Sequence, residues 1–352
     1  GYGSHAGIGG NDGSYGNITI NGGIIEAVSK SGGAGIGGGM NTAADAKVGK
    51  IVINGGTVTA KGGESGYGGG AGIGGGYYGK GEVEINGGII TATGGNSGAG
   101  IGGGCYSWEN NDKEYSGKSI IKINGGEIKA NSGGLAAGIG CGSTGSAEIT
   151  IAGGKVFAGS KYAVAIGGVS KKDGAYTIRI TGGEVTADSQ ATALGTTGTT
   201  GRMTEKTVVA IEGGTVKVTS ESESAINADK LTLNGNAVIY ASNNTNPVIN
   251  VITREFSSGI VFENANGSVY GNPVPDSNWE IPADSTFTIA NGQDIIIPAG
   301  VTLTNNGSIG IEKGGQLYLG GTLDTTKGTV TNKGTIKIVK GTINGEDNIS
   351  ST

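Results

Sequence analysis

The segment Tyr106-Ser107-Trp108-Glu109-Asn110-Asn111-Asp112-Lys113-Glu114-Tyr115 sets three aromatic rings among amides and carboxylates. An indole or phenol face covers the C–H surface of a sugar ring, while carboxylates and amides pair with its hydroxyls. A few polar groups around an aromatic anchor are enough to orient such a ligand. Tyr77 and Tyr78 stand one repeat earlier. The predicted ligand-binding set is therefore Tyr77, Tyr78, Tyr106, Trp108, Glu109, Asp112 and Tyr115, with a glycan or a partner surface protein as the ligand. The alternative is a solvated loop whose Trp108 packs down on the elements beneath it. Glu109 and Asp112 are also the weak candidates for a hydrolytic pair. That chemistry needs two carboxyl groups about 5–5.5 Å or 6.5–9.5 Å apart, and loop carboxylates are most often simply solvated.

Other chemistries find less support. His5 is the sole histidine, and Cys105 and Cys141 are the only cysteines, too few for a four-ligand zinc site. No metal site and no cofactor are expected. A calcium turn at Gly9-Gly10-Asn11-Asp12 is the weak exception, because that sequence does not recur as a calcium-binding repeat must. The two cysteines occupy neighbouring repeats two positions out of register, which favours two small buried thiols over a bridge. The many Gly-x-Gly sequences lack the following helix and the Gly-Lys-Ser/Thr of a phosphate loop. With a net charge of −5 and three arginines (Arg179, Arg202, Arg254), no basic stripe exists for nucleic acid. No apolar run approaches the ~18–20 residues that span a bilayer, so no membrane insertion is expected.

The elements that must carry these residues are legible as repeats. Among the 352 residues are 77 glycines and only 5 prolines, without a Gly-x-y period. Ala-Gly-Ile-Gly recurs at residues 6–9, 34–37, 71–74, 99–102 and 137–140, with degenerate copies around Ile166, Leu194 and Ile226. Ile-Asn-Gly-Gly begins at Ile20, Ile53, Ile85 and Ile123, and drifts at Ile151, Ile180 and Ile211. A third block follows each time, as in Thr57-Val58-Thr59-Ala60 and Glu184-Val185-Thr186-Ala187.

Three short period-2 runs separated by glycine turns make one rung of three strands. The fold class predicted is all-β, a right-handed parallel β-helix. Stacked rungs at ~4.8 Å would align one column from Ile8 to Ile166, a second from Ile20 to Ile211 and a third from Val58 to Val216. Asn21, Asn54, Asn86 and Asn124 would form an amide ladder of purely architectural meaning. Three parts are expected: glycine-rich rungs over 1–242, an irregular connection or wider rungs over 243–285, and further solenoid rungs over 286–352. Insertions concentrate at the corner between the Ala-Gly-Ile-Gly and Ile-Asn-Gly-Gly blocks, the longest running from Cys105 to Ser119. Strict alternation about Ile36 would turn Gly35 and Gly37 outward, with Gly72, Gly74, Gly100 and Gly102 beside them. The expectation is a bare backbone strip open to lateral packing by a rod, a loop or a sugar chain.

The Ala-Gly-Ile-Gly-Gly-Gly blocks, Ile-Asn-Gly-Gly and the later Ile297-Pro-Ala-Gly-Val-Thr-Leu-Thr-Asn-Asn-Gly307 resemble the repeats of large Gram-positive surface proteins with pectin-lyase-like β-helix domains. The resemblance covers nearly the whole chain and speaks for architecture. It implies a secreted or cell-surface module for adhesion or glycan binding, non-catalytic, or alternatively a glycoside hydrolase or polysaccharide lyase on the same scaffold. Against the enzyme branches, Asp-Asp does not occur, the one histidine lies in Ser4-His5-Ala6, and Arg179-Ile180 is followed by Thr181. The chain opens inside a repeat and reads as a piece of something longer.

Overall fold

The structure, a computed structural model, describes residues 4–40, 49–66, 68–105, 118–142, 145–169, 174–197, 207–245 and 247–351. Almost every described element is a strand, and the one helical turn among them is the 3-10 segment Glu346–Asn348. The chain forms a parallel β-helix divided into two compact units. The first holds Gly1–Val209, Val218–Lys230 and Asn243–Thr253, and the second holds Ala210–Lys217, Leu231–Ser242 and Arg254–Thr352. The chain passes between these units several times from 210 to 254.

In the first unit each rung carries a two- to four-residue glycine strand, a second strand and an exit strand. One rung is Ile36–Gly37, Lys50–Ile53 and Thr57–Lys61. The first predicted column forms throughout, and the second and third form as far as Ile180 and Val185. Ile8, Ile36, Ile73, Ile101, Ile139, Ile166, Leu194 and Ile226 pair in succession along the glycine strands. Ile20, Ile53, Ile85, Ile123, Ile151 and Ile180 do so along the second strands. Ile25, Val58, Ile90, Ile128, Val156 and Val185 do so along the exit strands. From Ile36 onward the glycine-strand column is wholly buried, which contributes roughly 1.5–3 kcal/mol per side chain. The amide ladder also forms, with Asn54 donating to Asn21 at 2.7 Å, Asn86 to Asn54 at 2.8 Å and Asn124 to Asn86 at 2.7 Å.

The glycine strip is a correction. Gly35, Gly37, Gly72, Gly74, Gly100 and Gly102 are buried. A Cβ on Gly100 would lie 2.6 Å from the Gly138 carbonyl oxygen and 2.7 Å from the Asn131 backbone nitrogen. The backbone of the next rung and the chain leaving the exit strand already fill that space. Simple alternation fails because Gly102, at φ +129°, lies outside the extended region open to other residues. The strip is how the rod packs on itself, and it presents nothing to a lateral partner.

Cys105 and Cys141 are free and buried. Burial pushes the Cys141 thiol up to about 11, and its sulfur lies 3.8 Å from the Tyr176 hydroxyl. Burial first, then the neighbouring Cys141, raises the Tyr176 phenol as well.

The second unit is built differently. Gly259–Glu263 pairs antiparallel with Asn266–Tyr270 across a two-residue turn at Asn264 and Ala265, where Asn264 adopts φ +52°. Asparagine tolerates that left-handed conformation. The earlier strand Val238–Asn243 runs parallel to Gly259–Glu263. The later strand Thr286–Ile289 runs parallel to Asn266–Tyr270, so strand direction reverses at this hairpin. Beyond it the rungs are short, and the stacked residues Phe287, Ile309 and Val330 stand 22 and 21 positions apart. Their core holds Phe262, Trp279, Phe287 and the leucines and isoleucines of three faces.

Candidate functional site

Of the predicted ligand-binding set, Tyr106, Trp108, Glu109, Asp112 and Tyr115 lie outside the described residues. Tyr77 is only 3% exposed. Its backbone nitrogen donates to the Gly32 carbonyl at 2.6 Å, and its ring lies against the half-buried Tyr78 with centroids 4.0 Å apart. The two hydroxyls are joined at 3.1 Å. Tyr77 is thus a packing residue closing a glycine turn, with no open ring face to offer a sugar. Glycine-rich turns leave a large void, and this aromatic side chain fills it. Nearby, Glu64–Ser65 forms a small antiparallel pairing with Gly68–Gly69. Among the described residues no three His, Cys, Asp or Glu converge to hold a metal ion.

A different place gathers polar and aromatic groups. It lies where the exit strands Glu127–Asn131, Lys155–Ser160 and Glu184–Ser189 end and the chain turns its corner. Alternation puts Val156 and Ala158 inward and Phe157 and Gly159 outward. Asn131, Gly159 and Asp188 are directly in register, as are Lys129, Phe157 and Thr186. Gly159 contributes no side chain to that column, and the Asn131 carboxamide oxygen lies 2.6 Å from where its Cβ would stand. A groove of about 330 Å³ lies here, lined by Asn131, Ser132, Phe157, Gly159, Ser160, Lys161, Asp188, Ser189, Gln190 and Glu221.

The corner beneath the groove is held by a column of serines. Ser160 Oγ donates to the Ala136 carbonyl at 3.0 Å and accepts from the Ala163 nitrogen at 3.1 Å. Ser189 Oγ donates to the Ala163 carbonyl at 2.6 Å and accepts from the Ala191 nitrogen at 3.0 Å. Ser132 Oγ meets Ser160 Oγ at 3.1 Å, and the single Ser220 O–H lies within hydrogen-bond reach of the Ala191 and Glu223 carbonyls. Each hydroxyl ties a turn to its neighbour in the next rung, so the backbone under the groove is fixed without a helix or a metal. Ser29 does the same with the His5 and Ser31 carbonyls. A visible signal existed, since Ser29, Ser132, Ser160 and Ser189 each follow an exit-strand alanine by two positions.

Charge on the groove is mixed. Lys161 supplies one ammonium, whose nitrogen sits 4.8 Å from the centre of the exposed Tyr162 ring. Its contact with the Tyr162 hydroxyl holds it above the ordinary lysine value. Asp188 and Glu221 supply two carboxylates from successive rungs. Elsewhere on the rod, ion pairs hold carboxylates below their usual range. Lys50 does this to Glu84 at 2.6 Å, and Lys118 does it to Glu148. Both pairs are exposed and contribute little to stability.

A second pocket of about 320 Å³, in the second unit, is lined by Tyr240, Phe262, Pro282 and small residues. Tyr240 and Phe262 stack at 5.0 Å, and the Tyr240 hydroxyl donates to the Glu280 carbonyl at 2.6 Å. Burial raises that phenol above its ordinary value. The phenol's donor is thus already engaged, and the pocket offers few free polar groups.

The model of a family described as a beta helix repeat matches residues 18–40, 51–77, 83–105 and 121–143. Each matched segment contains a second strand, an exit strand and a glycine strand, and stops before the insertion corner. The match is to architecture over four successive rungs of the first unit. No curated protein and no solved structure matches the chain.

Proposed function

We propose that the chain is an extracellular or cell-surface β-helix module that binds a glycan without cleaving it, serving adhesion. The observation that carries this reading is the groove over Gly159. A rigid sheet, a serine-fixed corner, one aromatic edge and a rim of amides, hydroxyls and charges together form a shallow polar site of the kind that orients a sugar. The surface location rests on the resemblance of the repeats. The insertion carrying Trp108 is a second binding surface in this proposal.

A glycan-array screen of the whole chain, with Phe157→Ala and Trp108→Ala variants, tests it. Binding to at least one glycan is expected, weakened by roughly tenfold or more in one variant, which is about 1.4 kcal/mol. Incubating the bound glycan with the protein and analysing the products separates binding from hydrolysis. Shorter fragments would favour the enzymatic alternative, with Asp188 and Glu221 as the pair to mutate first. An array without any signal would remove the proposal.

A further inference from the structure

We infer that the asparagine ladder of the first unit is a set of modification sites, at which spontaneous deamidation advances rung by rung from Asn124. Two observations carry this. The first is the chemistry of the turn. Asn21, Asn54, Asn86 and Asn124 are exposed, and each is followed by two glycines. The first of these has no side chain to keep its amide nitrogen away from the asparagine carboxamide. Among the described residues, the Gly22, Gly55, Gly87 and Gly125 nitrogens donate to no backbone carbonyl. Each can attack the preceding Asn Cγ: the N–Cγ bond forms, the Cγ–Nδ2 bond breaks, and the glycine proton leaves with ammonia. Water then opens the cyclic imide at either carbonyl, giving aspartate or isoaspartate. No other co-reactant is needed.

The second observation is the sense of the ladder. Asn124 Nδ2 donates to Asn86 Oδ1, Asn86 to Asn54 and Asn54 to Asn21. The next rung carries Ala152 at this position, so the ladder ends at Asn124. A carboxamide must leave the ladder to reach the glycine nitrogen. Asn21 and Asn124 give up one ladder bond, whereas Asn54 and Asn86 give up two, and Asn86 also bonds the Glu84 carboxylate. One further hydrogen bond to break slows the step several-fold. The products then act differently on their neighbours. A carboxylate at position 124 has no N–H for Asn86 Oδ1, so Asn86 is released to react next, and Asn54 after it. A carboxylate at position 21 still accepts from Asn54, in a charge-assisted bond that holds it more firmly. A neutral amide ridge thus becomes an acidic one, with charges about 4.8 Å apart on adjacent rungs.

All four asparagines sit in the same Ile-Asn-Gly-Gly sequence, so an unfolded chain reacts at each alike and differences in the folded chain report the ladder. The test is incubation of the whole chain at neutral pH in heavy-oxygen water, folded and in urea, followed by peptide mass spectrometry. In the folded chain Asn21 and Asn124 are expected to convert several-fold faster than Asn54, with Asn86 following Asn124 after a lag. Asn291 and Asn306 are internal references, because Gly292 N donates to the Gly314 carbonyl and Gly307 N to Asn305 Oδ1, each at 3.1 Å. Both should convert more slowly than Asn124. Asn124→Ala, which places there the residue the next rung already carries, should abolish the lag at Asn86 and leave the Asn21 rate unchanged. Unaltered circular dichroism shows that the variant folds, and Asn124→Thr replaces it if it does not. Equal rates at all four sites of the folded chain, or Asn54 converting ahead of Asn124, overturn the inference. So does a lag at Asn86 that persists in the folded variant, or a folded chain that stays unmodified while the unfolded chain reacts.

Discussion

Gly102 and Phe287 show how differently the two units fill their interiors. In the first unit a Cβ on Gly102 would fall far inside contact distance of the Gly140 carbonyl oxygen, and the residue is held at φ +129°. Rungs there meet backbone to backbone, and isoleucine columns fill what remains. In the second unit Phe287 stacks on Phe262 at 5.7 Å and meets Trp279 edge-on at 5.5 Å. Short rungs there enclose an interior filled by large side chains. At Gly292, φ is +77° and nothing lies within 4 Å of an added Cβ. One solenoid principle thus accepts two solutions: bring the backbones so close that no side chain fits between them, or fill the interior with rings.

The strongest way to break that contrast is Gly102→Ala set against Gly292→Ala. The first adds a backbone clash to a disallowed dihedral and should cost about 4 kcal/mol or more. The second costs only the left-handed dihedral, about 1–2 kcal/mol. Denaturant unfolding of both variants checks this, and equal losses would mean that the buried strip does not carry the packing. Phe287→Ala should cost about 3–5 kcal/mol, against about 0.5–1.5 kcal/mol for Ile101→Val in the first unit.

A smaller effect separates the units by pH. The Cys141 thiol is raised in the folded state, so its stabilising contribution is complete below about pH 9 and is lost as pH climbs toward about 11. The loss amounts to about 2–3 kcal/mol. Tyr240, raised by burial from 10.0, affects the second unit only above that pH. Hydrogen exchange between pH 9 and 10 should therefore show loosening around Cys141 and not around Tyr240, and Cys141→Ala should flatten the slope. The smallest effect expected is from Asn86→Ala. It removes two exposed amide bonds of the ladder and should cost about 1 kcal/mol or less, whereas Asn305→Ala should cost about 1–3 kcal/mol. Asn305 is fully buried and donates at 3.0 Å to both Thr325 Oγ1 and the Thr329 carbonyl. Similar melting temperatures for the two variants would remove the distinction between an exterior and an interior amide.

The residues also differ in how far their roles can be read before folding. Isoleucine columns and the asparagine ladder were legible because parallel stacking returns like residues to like positions, so spacing alone fixes their partners. Tyr77 was misjudged because an aromatic beside glycines looks the same whether it faces water or fills the space those glycines leave. The groove over Gly159 was not legible. Its significance lies in a glycine being flanked by Asn131 and Asp188 in adjacent rungs, which are 28 and 29 positions away. A lone glycine among 77 carries no mark of that kind.

Sequence by itself determined the all-strand character, the rung, the three apolar columns and the poverty in histidine and cysteine that leaves few metal ligands. Periodicity is a local property, and stacking only repeats it. The tertiary structure alone decided that the glycine strip faces inward, that strand direction reverses at Asn264, and which outward side chains meet across rungs. Those outcomes depend on dihedral angles and on neighbours far apart along the chain, which no repeat spacing encodes.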